Sequence, residues 1–579
     1  MIPKGSMAVK RTGRLFDAVR SLWEEYSICV RSRLYWRRQA SPDDRESMQE
    51  TAAVPEPASP PGIRAWLMRY RLVCIAFPLV LLLGLPTLIV PLYTDQTVFA
   101  LGARTILSGG FPYRDLWDVK SPGIYLVYAF AFIPLGQHMV SVRILDLANT
   151  ALAMGAIYLL GRRLFGERAG LLAGCLYGVT YLTRAGFDGL GQTESFLALP
   201  VVVSILLYRP NSRHNVNAAA FLSGVLLGLA FSIKVSAAFY VLALPAIEVM
   251  FAEQPRRLAP ALKGLSIAAG GFLAVVAVFA VYLAAGGALG DFIDIQRLHV
   301  APYASLHWSP AGESYLHFAG RVTHEYVTDN LFLVVPAAGA LFVALAGSRR
   351  RETALVAILA IASLLGVWSQ GKFYPYHWLA MAFPLALLAG FAVDQIIAFC
   401  GGQRLGQRWL AYGLAGVSLV ALTPSLVANP YEQYRHFLGY ATGRYTAAEN
   451  EAHFEPVLSF DRGLLDYINA NGDTSLFIWG NWPVIYWWAD QPLVSRFVYD
   501  TGLSAKWAPD VWRDELVGDL REQPPRFIAV AGGDRQPWLR GNSKTAAELV
   551  DDYPDLRDIL AGSYEPVWAN DLLRLYERR

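Results

Sequence analysis

The sequence predicts an α-helical polytopic membrane protein with a small α/β domain at its C-terminal end. Three observations carry this. The 579 residues are 54% hydrophobic and only 17% charged, too few charges for an ordinary soluble protein of this length. The apolar residues gather in runs such as 265–285 and 410–427, close to the roughly 20 helical residues that cross a bilayer. Beyond about residue 429 the long runs stop, and short strand-like and helix-like segments take over.

Residues 1–64 are polar, with a basic, aromatic stretch from Lys10 to Arg38 and a Pro- and Ala-rich linker at 52–61. No cleavable signal peptide is read here. A cytoplasmic, partly disordered tail is expected, with an amphipathic helix on anionic lipid as the rival reading. The four cysteines, Cys29, Cys74, Cys175 and Cys400, fit neither a disulfide framework nor a zinc site by spacing.

Apolar runs follow near 72–92, 123–136, 144–160, 170–182, 195–208, 218–233, 235–251, 265–286, 331–346, 354–368, 379–398 and 410–427. Lys and Arg favour the cytoplasmic side of short loops. Five short loops, 161–168, 209–217, 253–264, 347–351 and 401–408, each hold at least two basic residues. They fall on one side only if the run 123–136 does not cross, and its 14 or so residues suit an interfacial helix. About eleven transmembrane helices are then expected over a domain of residues 65–428. The outer loops 93–143, 183–194, 287–330 and 369–378 collect Asp95, Asp115, Asp118, Asp188, Glu194, Asp291, Asp294, Glu313, Glu325 and Asp329. Polar chemistry is therefore expected on the outer face.

Residues 429–579 read as an extracytoplasmic α/β domain. Strands are expected at 475–479, 526–530 and 572–576, and helices at 461–470 and 541–551. The aromatic stretch 483–488 is expected to pack against the membrane part or lipid headgroups, with a sugar-stacking platform as the alternative.

Several outer-face residues have chemistry to offer. Asp95 follows the first run directly, and a carboxylate at the rim of a cavity can take a proton from an attacking hydroxyl. The plainer reading is a helix-end residue facing water. Lys120 lies just before Pro122, which opens a short apolar helix, and a lysine there can pair with a phosphate. Ion pairing with Asp115 or Asp118 is its plainer role. Arg143 adds positive charge nearby. Asp188 and Glu194 share a short glycine-rich loop, and ionisable groups at membrane depth are costly. Lys234 sits between two runs with almost no loop, where it can also snorkel to the interface. Lys372 and His377 lie in a tight loop whose tyrosines suit either a substrate or an aromatic belt. Tyr113 belongs to the dense polar cluster of the first outer loop.

The order of these features resembles the GT-C membrane glycosyltransferases, in the branch with protein O-mannosyltransferases and the lipid A aminoarabinose transferase. The resemblance rests on Asp95, on Gly109-Gly-Phe-Pro-Tyr-Arg-Asp-Leu-Trp-Asp-Val-Lys-Ser-Pro-Gly123, on Val142-Arg-Ile-Leu145, on Gly161-Arg-Arg-Leu-Phe-Gly166 and on Phe373-Tyr-Pro-Tyr-His-Trp378. It covers residues 72 to about 400, and loosely the outer C-terminal domain. It implies an inverting transfer of a sugar from a polyprenyl-phosphate donor, on the outer face of a bacterial cytoplasmic membrane. Asp95 matches the carboxylate that activates the acceptor, and Lys120 the lysine on the donor phosphate. Arg143, Lys234 and Lys372 are further candidates for that phosphate. Asp188 or Glu194 would match the second-loop acid, and His377 and Tyr113 would line the sugar or acceptor side. Two departures stand out. Gln96 follows Asp95 where the family often has Glu, and Ser121 separates Lys120 from Pro122 where it often has Pro.

No cofactor is required by this reading, and two acids alone make a weak case for a divalent metal. The expected partners are the lipid-linked donor, a glycan, lipid or protein acceptor, and membrane lipids, with no nucleic acid. A transporter or flippase, or a non-catalytic binder of lipid-linked glycans, are the competing readings. A transporter should carry its polar residues at mid-membrane depth. Here they gather at the outer helix ends.

Overall fold

The computed structural model describes residues 70–209, 216–251, 258–309, 312–346, 349–401, 425–454, 457–470 and 475–579. The tail reading and most of the run 410–427 lie outside these residues. Among them, five helices are long and apolar enough to cross a membrane: Arg71–Ile89, Met139–Leu164, Leu258–Ala285, Arg350–Trp368 and Pro375–Ala398. A sixth is counted if Tyr315–Asp329 and Leu331–Leu345, bent by 99°, form one broken span. Gly123–Leu135, Thr193–Leu207, Asn217–Ile233 and Val235–Phe251 are apolar but shorter. The expectation of about eleven spans set aside only the run 123–136 as too short to cross. Length and composition divide them into long helices and short ones.

Arg71–Ile89 and Leu258–Ala285 wear their hydrophobicity outward, as a lipid-facing surface requires. On Leu258–Ala285, Leu273, Val278 and Val281 are all more than half exposed. Where this helix meets Val216–Ile233 it uses small residues instead, because lipid supplies no hydrophobic drive for helix pairing and close contact must. A Cβ on Gly224 would lie 1.7 Å from the carbonyl oxygen of Ala268, so two helices meet backbone to backbone there. The first helix ends early. Pro86 stands in a short 3-10 turn, Leu85–Ile89, because it lacks an amide N–H to continue the α ladder.

Between the first helix and Met139–Leu164 lie two short helices, Asp95–Leu107 and Gly123–Leu135. They pack closely: a Cβ on Gly102 would collide with the Tyr125 ring at 2.4 Å. The segment joining them folds under the C-terminal region. There a four-stranded sheet has the order β1-β2-β4-β3. β1 (Leu476–Trp479) pairs parallel with β2 (Phe527–Ala531), and both are buried throughout. β4 (Leu573–Arg578) runs antiparallel to β2, and β3 (Tyr564–Ala569) closes the edge antiparallel to β4.

Three of the four strands match the sequence reading. β3 was not foreseen. It carries Pro566 beside an irregularity in the register, and proline is tolerated only at such edges. The helix expected at 461–470 is found as Val457–Asn469, starting four residues earlier and ending one earlier. The one expected at 541–551 shrinks to a single turn, Ala546–Leu549, started by a Thr545–Glu548 capping box, and a 3-10 turn after it. The aromatic stretch 483–488 forms a buried helix, Pro483–Ala489. Trp487 stacks on Phe132 at 5.6 Å and lies under Arg104 at 4.4 Å, so this stretch is packing against the first-loop helices.

Candidate functional site

Asp95 is the first residue of its helix. The residue before it, Thr94, has φ of 40°, a conformation that a β-branched side chain resists. Strain of this kind persists where the surroundings hold it, and it clusters at functional sites. Behind Asp95, Gln96 is fully buried. Its Nε2 donates to the carbonyls of Phe187 and Asp188 at 3.0 and 3.1 Å, and its Oε1 accepts from Arg143 at 2.7 Å. The amide both donates and accepts here, which a carboxylate does not do. The departure from Asp-Glu to Asp-Gln therefore serves a clamp between two loops.

Lys120 Nζ donates to Asp95 Oδ2 at 2.6 Å, and the Tyr376 hydroxyl donates to the same oxygen at 3.2 Å. Both side chains of the ion pair are 27% exposed, so the pair is open on one side. Among the described residues no hydrogen bond reaches Asp95 Oδ1. Burial works to lower the Lys120 pKa, but the carboxylates of Asp95 and Asp118 outweigh it and raise it, so the side chain stays an ammonium. The backbone around it is fixed as well. Tyr113 donates to the Lys120 carbonyl at 2.8 Å, and Pro122 caps the helix that follows.

A second pair lies next to the first. Lys234 Nζ donates to Glu194 Oε1, and Thr193 Oγ1 donates to Glu194 Oε2 at 2.7 Å. Lys234 stands at the junction of Val216–Ile233 and the 3-10 turn Val235–Leu242, so the break between helices aims it inward. Its Nζ is 5.8 Å from the Tyr376 ring centre. Tyr376 thus touches one pair and adjoins the other, and the charge of Glu194 acts on Lys120. His377 is buried beside Glu194 in a small recess also lined by Tyr240 and Gln370, and its Nδ1 has no partner among the described residues.

The structure brings Asp95, Lys120, Glu194, Lys234 and His377 together. Other expected residues are placed differently. Arg143 is fully buried and donates to the carbonyls of Val90, Pro91 and Leu190 and to Gln96, so its charge is spent holding loops and does not reach an open surface. Tyr113 is fully buried, with its hydroxyl on the Lys120 carbonyl, and it supports the loop from below. Lys372 donates to the carbonyls of Tyr303 and Leu306, both at 2.7 Å, and burial pushes its pKa down to about 8. Asp188 meets Gln96 through its carbonyl; its carboxyl is half-buried, and burial raises its pKa. Of the two second-loop acids, Glu194 is the one beside the cluster.

Two contributors escaped the sequence reading. Tyr376 was visible only as one of several tyrosines in a loop. Asp118, which the sequence offers beside Asp115 as an ion-pair partner for Lys120, accepts instead from Val119 N, Tyr125 and Tyr499 and is 1% exposed. Among the described residues no group of three or more His, Cys, Asp or Glu side chains is arranged to hold a metal ion.

The profile of the family described as dolichyl-phosphate-mannose-protein mannosyltransferase matches residues 119–283. No curated protein matches the chain. Among solved structures, ArnT from Cupriavidus metallidurans in the apo state aligns with a TM-score of 0.53 at 14% identity, over 88% of this chain and 98% of that one. The same protein bound to undecaprenyl phosphate aligns with a TM-score of 0.51 at 15% identity, over the same shares. The archaeal oligosaccharyltransferase AglB from Archaeoglobus fulgidus, in complex with an inhibitory peptide and a dolichol-phosphate, aligns with a TM-score of 0.47 at 11% identity, over 80% of this chain and 70% of that one. At the level of fold, the likeness to the two ArnT structures agrees with the resemblance read from the sequence.

Proposed function

We propose that the protein transfers a sugar, with inversion, from a polyprenyl-phosphate donor to an acceptor hydroxyl at the outer face of the bacterial cytoplasmic membrane. In this reading residues 1–64 are cytoplasmic, 65–428 form the transmembrane catalytic domain, and 429–579 form the extracytoplasmic α/β domain. The observation that carries the proposal is the open Asp95–Lys120 pair, with Glu194 and Lys234 beside it. The family profile over 119–283, and the undecaprenyl phosphate held by the ArnT structure, support a donor of this class.

The chemistry follows from the charges. Asp95 takes the proton of the acceptor hydroxyl through its free oxygen. The acceptor oxygen attacks the anomeric carbon from the face opposite the phosphate, and the bond from that carbon to the phosphate oxygen breaks. The departing polyprenyl phosphate gains negative charge, and Lys120 is the cation that meets it. Lys234 adds a second positive charge, held in reserve by Glu194. Transfer of Lys120 from Asp95 to the phosphate leaves the carboxylate free to receive the acceptor's proton.

The test is mass spectrometry of lipids that co-purify with the wild-type protein and with Asp95→Asn, alongside transfer assays. A polyprenyl phosphate carrying one sugar should be retained by both, with transfer reduced in the variant by about 100- to 10,000-fold. Undiminished transfer in Asp95→Asn would remove this residue from the mechanism. A large pyrophosphate-linked oligosaccharide would point to a flippase or an oligosaccharide-handling enzyme.

A further inference from the structure

Beside Tyr376 the site continues into a wall of aromatic rings from three distant segments. Tyr374 stacks parallel to Tyr376 at 5.3 Å. Trp308 stands edge-on to Tyr374 at 4.6 Å. Trp538, from the C-terminal region, lies 4.8 Å from Trp308 and 6.4 Å from Tyr303. Tyr303, Trp308, Tyr374 and Trp538 are all partly exposed, although aromatic rings in such close contact ordinarily bury one another. Polar atoms are unsatisfied here too. The buried Trp308 Nε1 and His377 Nδ1 have no hydrogen-bond partner among the described residues, and unpaired buried polar atoms are rare enough to need a cause.

We infer that this wall is a subsite for a sugar ring of the acceptor, and that the acceptor is therefore a glycan. The inference rests on the transferase reading above and deepens it. A sugar ring presents apolar C–H faces ringed by hydroxyls, and it matches flat aromatic faces interrupted by polar ring edges. The direction of the wall assigns it to the acceptor. Asp95 Oδ2 is flanked by Lys120, on the donor phosphate side, and by Tyr376, where the wall begins. The wall then runs outward to Trp538 of the C-terminal region. The wall's own cation offers no ready anion site. Lys372 is occupied by two backbone carbonyls and rests 4.3 Å from the Tyr303 ring centre, so rings rather than charge face the ligand.

The experiment uses the full chain in detergent, with Trp308→Ala, Trp308→Phe and Trp538→Ala. The probes are three fractions of the source organism's cell envelope: acid-released glycans, peptides and lipids stripped of sugar. Binding is read by saturation-transfer NMR, and donor-lipid retention by mass spectrometry. The glycan fraction should bind, each Ala variant should weaken that binding roughly three- to tenfold, and Trp308→Phe should keep most of it. Glycan binding unchanged in both Ala variants, or binding confined to the peptide or lipid fraction, overturns the inference. Absence of a sugar-carrying polyprenyl phosphate from the wild-type protein counts against the transferase reading alone, because the glycan titration is scored independently of the donor.

Discussion

The Tyr499 hydroxyl donates to Asp118 Oδ1 at 2.6 Å, across 381 residues of chain. Asp118 is two residues from Lys120, so the C-terminal region is bonded directly to the loop that presents the candidate phosphate-binding lysine. The contact is one of several. Arg496 donates to the Tyr113 carbonyl at 2.8 Å, the Trp117 amide donates to the Arg496 carbonyl at 2.8 Å, and a Cβ on Gly502 would strike the Trp117 ring at 2.4 Å. Removing the hydroxyl in Tyr499→Phe leaves a buried carboxylate one donor short. A loss of about 1–3 kcal/mol in stability is expected, read by thermal unfolding in detergent. Donor-lipid retention should fall with it, because the Lys120 loop loses an anchor. Full stability with weakened retention would place Tyr499 in direct contact with the donor.

Arg143 is expected to be needed for folding rather than for donor binding. Four hydrogen bonds join its guanidinium to three carbonyls and the Gln96 amide. An ammonium has three donors on one atom and cannot span that set, so Arg143→Lys should be destabilised by about 3 kcal/mol or more. Monodispersity and melting temperature in detergent measure this. An Arg143→Lys protein that melts normally but no longer retains donor lipid would restore the phosphate role.

The fate of Arg143 shows where the sequence was legible and where it was not. Asp95, Lys120 and Pro122 could be recognised because their roles are set by neighbours in the chain: a helix start, a proline cap, the end of an apolar run. Arg143 reads in sequence as available positive charge, and only the tertiary fold supplies the carbonyls that consume it. The same limit hid Tyr376 and Tyr499, whose partners lie 281 and 381 residues away. The long helices and three strands were visible from hydrophobic periodicity. An apolar run of 13 to 17 residues has the same composition whether it crosses or not, so composition alone does not fix the number of spans.

Glu194 and Lys234 should behave as one unit. Both are largely buried, with side chains 1% and 16% exposed. Glu194→Gln leaves an unpaired ammonium and Lys234→Met leaves an unpaired carboxylate. Each single change is expected to cost about 3–5 kcal/mol, and the double change distinctly less than the sum. Thermal unfolding of the three variants gives the coupling energy. Simple additivity would mean that the pair is not formed in the folded protein.

His299 makes the fold acid-sensitive. It sits in a π-helical turn, Ile295–Val300, 1% exposed, with Trp117 edge-on at 5.0 Å and Tyr303 stacked at 6.1 Å. Burial pushes its pKa from 6.5 down to about 4. Below pH 6.5 the unfolded chain takes up a proton that the folded chain refuses, so stability falls as the pH drops from 6.5 to 4. The total loss is about 3 kcal/mol, and it is complete once the folded protein is protonated as well. His299→Phe keeps the ring and removes the titration. Melting temperatures between pH 7 and pH 4 should therefore decline less steeply in the variant, while the two proteins differ little in slope above pH 7. Parallel acid profiles would mean that His299 is already charged, or freely solvated, in the folded state.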